Sequence, residues 1–228
     1  VTDDKTHPVA WICMAIGLCL YGMALFHHQR ESLQQSDFFT GGLPPSAQKA
    51  LAGPFAGAAA DLNLLGVFSI YEGIRRQPAD NNALWHKLHA RLLAAQELDP
   101  WFWDVYRLAV GLMAFREQGT SAAVDLLSKG AAARTWDWEM PFMAGYLAHE
   151  FLHDDKRAAL LMSEAVKRPN APPLAIGLAS QFFNASEGPE ASIRFLRYLR
   201  ASMPAEYRAV IDARITHMEQ AKVKKAHP

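Results

Sequence analysis

From Ala58 onwards, apolar residues recur at spacings of three and four, and no alternation of apolar and polar residues persists beyond a few positions. That periodicity predicts helices and no strands. Read with the breakers between them, the helices fall into pairs: 58–76 with 81–98, 101–117 with 120–133, 138–152 with 155–168, and 172–185 with 188–202. A last helix over 205–222 carries Glu206, Arg208, Asp212, Arg214, Glu219 and Lys222, the polar surface expected of a terminal cap. Upstream the pattern is different. Val9–Phe26 contains no charged residue at all, and its length is at the lower end of what spans a bilayer core as a helix. Trp11 and Tyr21 stand towards its two ends, and His27, His28 and Arg30 follow. A cleaved signal peptide would show a shorter apolar run and a small-residue cleavage site, whereas FHHQRE follows here. A core helix would show a polar stripe, which this segment lacks. Residues 30–57 hold Gly41, Gly42, Pro44, Pro45, Gly53 and Pro54, which reads as a linker. The chain therefore divides into an anchor at 1–29, a Pro/Gly-rich linker at 30–57, a helical domain at 58–204, and a capping helix with a basic tail at 205–228.

Within the helical domain the pattern repeats. Gly111, Gly145 and Gly177 follow one another at a spacing close to 34 residues, as do Ala123, Ala158 and Ala191, and again Gly130, Ala165 and Tyr198. Pro169 and Pro204 keep the same interval, with Pro100 about two periods before Pro169. A period near 34 residues is that of tetratricopeptide helix pairs. Small residues mid-helix allow close approach of the paired helix, and a proline after the second helix ends it. The expected fold is all-α: one transmembrane helix, then a tetratricopeptide-like solenoid of about four helix pairs and a capping helix. The first pair departs most from the period, around Gln77-Pro78-Ala79-Asp80.

Composition narrows the function. Lysine plus arginine and aspartate plus glutamate both number 23, so the formal net charge is zero, and no global field favours nucleic acid. The basic terminal residues Lys222, Lys224 and Lys225 read as a solvated tail. Both cysteines, Cys13 and Cys19, lie in the apolar N-terminal segment. The helical domain thus has no disulfide framework, thiol nucleophile or cysteine-based zinc site. Phosphate-loop, nucleophile-elbow and haem-attachment motifs are absent from the sequence.

Several stretches resemble a family of bacterial membrane-anchored tetratricopeptide-like proteins. They are Ala60-Asp61-Leu62, Leu98-Asp99-Pro100-Trp101-Phe102 with Tyr106, Leu126–Gly130, Trp138–Phe142 with Gly145, Asp155 with Ala158-Ala159, and Pro169–Pro172. The resemblance covers roughly residues 58–200. It implies an all-helical fold, an N-terminal membrane segment and a role in binding, and it brings no activity or cofactor with it.

One motif suggests chemistry. His149-Glu150-Phe151-Leu152-His153 spells HExxH, which on a continuous helix puts two histidines on one face for zinc and a glutamate beside a bound water. A third ligand would have to come from Glu164, Glu187 or Glu190. The run falls at the end of a helix, where histidine is favoured by the helix dipole, so the motif reads as structural and a zinc-dependent metallopeptidase is the alternative. His86 and His89 form a second close pair, read as surface or interhelical residues. Trp101, Trp103, Trp136 and Trp138 open the second and third pairs, and two tryptophans two apart cannot both enter one helical seam. One of each pair is expected at the surface. If the first helices line a concave face, Leu108, Leu112, Phe115, Phe142, Tyr146 and His149 form an apolar groove for a peptide with hydrophobic anchors. The reading is a non-catalytic, membrane-tethered scaffold or accessory subunit without cofactor or metal. Its partners are proteins of a membrane or envelope complex, and its repeats are expected on the periplasmic side, with the cytoplasmic side as the alternative.

Overall fold

The computed structural model describes residues 14, 16–21, 23, 43–76, 81–116 and 119–226, with side chains to residue 220. These residues form ten α-helices and no strand, so the chain is all-α. The helices are α1 (Pro45–Ala52), α2 (Ala56–Arg76), α3 (Asn82–Leu98), α4 (Trp103–Met113), α5 (Gly119–Ala133), α6 (Glu139–Glu150), α7 (Asp155–Val166), α8 (Pro173–Glu187), α9 (Pro189–Ser202) and α10 (Arg208–Ala226). Their bounds follow the expected ones closely from α2 onwards. Most of the expected anchor at 9–26 lies outside the described residues; those of it that are described are helical and exposed. Among the described residues, the segment long and apolar enough to cross a membrane is Pro45–Arg76. It includes the last part of the expected linker, where Pro45 opens α1 and Gly53, at φ 51, joins it through a 3-10 turn to α2.

Each helix packs mainly on its neighbours in the chain. Within a pair the contacts run in opposite directions: Gly66 meets Arg91 while the later Gly73 meets the earlier Leu84. In the same way Arg200 meets Asp212 while Arg197 meets Glu219. The core is one continuous strip of buried side chains from Ala60 to Met218. Many of its members are alanines, and the alanine-lined seams bring helix backbones together.

The small residues do this in a different register from the one the sequence suggests. Gly145 fits the expectation, since an added Cβ would lie 3.1 Å from Ala158 O and Met162 N on α7. Gly111 and Gly177 face open space, and the fully buried Ala109 and Ala179 take that place in α4 and α8. Ala123, Ala158 and Ala191 are buried as expected. Gly130 is also buried, against Tyr106, whereas Tyr198 is exposed and its neighbour Leu199 points inward. Tyr106 is held in place because its hydroxyl donates to Pro100 O at 2.6 Å. Burial pushes that hydroxyl up to about 12.

Polar contacts recur between residues about one helix pair apart. Arg134 Nη1 donates to Trp101 O at 2.6 Å, 33 residues back. Arg168, itself buried, donates to Arg134 O at 2.8 Å, 34 residues back, and also to Ala131 O and Asp137 O. Arg157 pairs with Asp125 across 32 residues, and Arg214 Nε reaches Ser180 Oγ across 34. In this way Arg168 supplies donors to the carbonyls left open at the end of α5. Glu164 accepts from the same guanidinium, which places that carboxylate in a structural ion pair.

Candidate functional site

The six residues expected to line a groove sit on α4 and α6, with Phe115 just past the end of α4. Leu108, Leu112 and Phe142 are partly buried and pack against the core, so only part of each faces outward. Phe115 and Tyr146 are exposed, at 68% and 40%. His149 is intermediate. These side chains take part in an aromatic series that crosses from one pair to the next. Phe115 meets Phe151 edge-on, with ring centroids 5.5 Å apart. His149 stacks on the buried Phe182 of α8 at 4.3 Å. Trp138 meets Phe142 edge-on at 5.4 Å. Offset and edge-on arrangements of this kind add to the energy of area burial.

Both tryptophan pairs divide as expected. Trp101 is 64% exposed and Trp136 50%, whereas Trp103 and Trp138 are partly covered and pack inward or on neighbouring rings. The sequence does not reveal that the two exposed indoles meet each other, edge-on at 5.7 Å. Arg134 joins them, with its guanidinium 5.5 Å from the Trp136 ring and bonded to Trp101 O. Asp137 accepts from Arg134 at 2.9 Å and fixes the guanidinium. Arg134 and Arg168 are the residues that sequence reasoning missed. Their separation, close to one period, was the signal that could have found them.

The HExxH run has a different geometry from that of a zinc helix. α6 ends at Glu150, and Phe151 and Leu152 form a turn. His153 has φ 54, and the next amide, of Asp154, donates to Ala148 O at 2.9 Å. The chain closes the helix end over His153, which holds the left-handed position usually taken by glycine. His149 and His153 therefore do not share a continuous helical face, which is the premise of the motif. His149 Nδ1 lies 2.6 Å from Asp155 Oδ1 in the first turn of α7, so this ring ties α6 to α7 and stacks on α8. Asp154 caps α7 by accepting from Arg157 N at 2.9 Å. Among the described residues, no three His, Cys, Asp or Glu side chains gather in a group that could hold a metal ion.

His86 and His89 lie on α3. His89 is held below its ordinary value, first by burial and then by the nearby His86, with Lys129 adding to the effect and Asp125 opposing it. A separate cavity of about 670 Å³ opens between α1, α2 and α3. Its lining is mostly apolar, from Leu43, Leu51, Leu62 and Leu65, with Gln48, Ser69 and Arg91 as polar members. No family model, curated protein or solved structure matches the chain.

Proposed function

We propose that this chain is a membrane-tethered, tetratricopeptide-like scaffold or accessory subunit that binds protein partners, catalyses nothing, and helps assemble or stabilise a membrane or envelope complex. The observation that carries the reading is the set of contacts between residues one helix pair apart, at separations of 31 to 37 residues in the bonds of Arg134 and Arg168. Stacked repeats bring equivalent positions of successive units side by side in this way. The exposed Phe115 and Tyr146, with the ring of His149, give the outward face aromatic anchors of the kind that dominate protein recognition. The anchor at 9–26 supports the tether, and the repeats lie on the periplasmic side of it.

The test is purification of the full chain from its native membrane in mild detergent, with mass spectrometry of what travels with it. A defined partner at fixed stoichiometry, lost in a Phe115→Ala/Tyr146→Ala variant, is the expected result. A chain that always runs alone removes the subunit reading. Protease protection in intact and opened cells reads the side of the membrane, and cleavage of the repeats only after the cytoplasmic membrane is opened would place them inside the cell. The metallopeptidase alternative gains nothing from the interrupted helix at His153.

A further inference from the structure

Helix α2 is apolar on both sides, and among the described residues only one side meets protein. Ala60, Leu64, Val67, Ile70 and Ile74 are buried with Asn63 on the inner face. On the outer side Leu62, Leu65 and Phe68 are exposed, and Leu51 and Phe55 extend the surface towards α1. Between Leu51 and Ser69 the exposed positions include a single charged side chain, Asp61. Basic residues stand beyond both ends, Lys49 on one side and Arg75 and Arg76 on the other, the last two sharing Glu72. The cavity continues the same surface inward, with Arg91 packed 3.4 Å from where a Cβ on Gly66 would stand.

A helix with two apolar faces belongs in a large core or in a membrane. At 21 residues and roughly 1.5 Å each, α2 matches the roughly 30 Å of a bilayer core. Spanning is nevertheless ruled out, because its packed partner α3 would take Lys87, Arg91 and Glu97 into the hydrocarbon with it. The arrangement that satisfies both faces is in the plane of the interface, with the inner face on α3 and the outer face in the acyl region. Residues 27–42, at no more than about 3.6 Å each, join the expected span at 9–26 directly to this surface at Leu43.

We infer that the α1–α2 face is a second membrane contact, lying on the phospholipid bilayer with acyl chains entering the groove between Leu43, Leu62 and Leu65. The inference rests on the tethered reading and goes beyond it, because a tether alone leaves this face in water. The basic ends fit the anionic headgroups of a mixed phosphatidylcholine and phosphatidylglycerol surface.

The full chain, with Cys13→Ser and Cys19→Ser, is reconstituted in such vesicles carrying one nitroxide label at Leu62→Cys, Phe68→Cys or, as the control, Leu174→Cys. Flotation with the vesicles first establishes the tether, and failure to float removes the proposed function itself. In floated protein, labels at 62 and 68 should collide more often with oxygen than with a water-soluble nickel chelate, and the control label should show the reverse order. Nickel access at 62 and 68 equal to the control overturns the inference. Low access to both agents with dipolar broadening between labels means a second copy covers the face, and also overturns it. Should the cysteine variants fail to fold, Phe68→Trp in otherwise unaltered chain keeps the question open to measurement. Brominated acyl chains should then quench its added emission, and unquenched emission counts against bilayer contact.

Discussion

Among the described residues, His153 and Asn170 hold the left-handed backbone that suits glycine, and at Gly130 an added Cβ would run into a buried ring. His153 holds a left-handed backbone at φ 54 in the closure of α6. His153→Gly should therefore stabilise the fold by about 0.5–1 kcal/mol, read as a higher Tm, whereas a catalytic metal ligand has no reason to behave so. Gly130 is the reverse case, since a Cβ there would lie 2.5 Å from Tyr106 Cε1, on a ring fixed by its bond to Pro100 O. Gly130→Ala should cost about 1–3 kcal/mol through overpacking. Gly177→Ala, in helix α8 with open space around it, should gain about 0.5–1 kcal/mol. Opposite shifts in thermal melts would check the pair. At His89, burial favours the neutral ring and lowers its pKa below the unfolded 6.5. Its contribution to stability is then complete above about pH 6.5 and declines as pH falls through the lowered folded value. Urea midpoints compared from pH 7.5 to pH 5 should fall further in wild type than in His89→Gln, which has no ring to protonate.

At the scale of elements, the helices were legible because apolar periodicity and Gly/Pro punctuation act locally. The bounds of α5, α7 and α9 fall within one or two residues of expectation at most of their ends. α1 was not legible, because Pro44, Pro45, Gly53 and Pro54 read as linker although proline is well placed in the first turn of a helix. The small-residue series did not give the register in which the helices meet. Alanine serves at the seams as well as glycine, so Gly111 and Gly177 do not mark the buried positions that Ala109 and Ala179 hold. Of the candidate groove residues, Phe115 and Tyr146 are exposed, as an outward face requires. The ring-to-ring contacts there were not legible, because Phe115–Phe151 and His149–Phe182 depend on how one pair is set on the next. The C-terminal helix is attached by few apolar residues, among which Ile211 is fully buried and Met218 nearly so. Ile211→Ala should cost about 2–4 kcal/mol. Hydrogen exchange should show α10 losing protection before α6 and α7; uniform loss across the chain would mean that α10 is not a separable cap.

Across the whole molecule, the buried guanidinium of Arg168 adds a polar link between helix pairs that also meet through Arg157–Asp125 and Phe115–Phe151. It donates to Ala131 O, Arg134 O and Asp137 O from the end of α7. Arg168→Met should destabilise by about 3 kcal/mol or more, because three carbonyls lose charged donors. Lysine should restore little of this, lacking the planar fork. Denaturant titration followed in α5 and α7 separately would show the loss on both sides of the junction. The direction of these bonds matters for a chain that is made from its N-terminus. Each arginine reaches backwards, so the turn that closes one pair of helices waits with open carbonyls until the next pair has left the ribosome or the translocon. The turns at Trp101 and at Ala131–Asp137 are each finished by the helix pair that follows, and a chain halted after Ala133 would end in an acceptor surface with no donor to fill it.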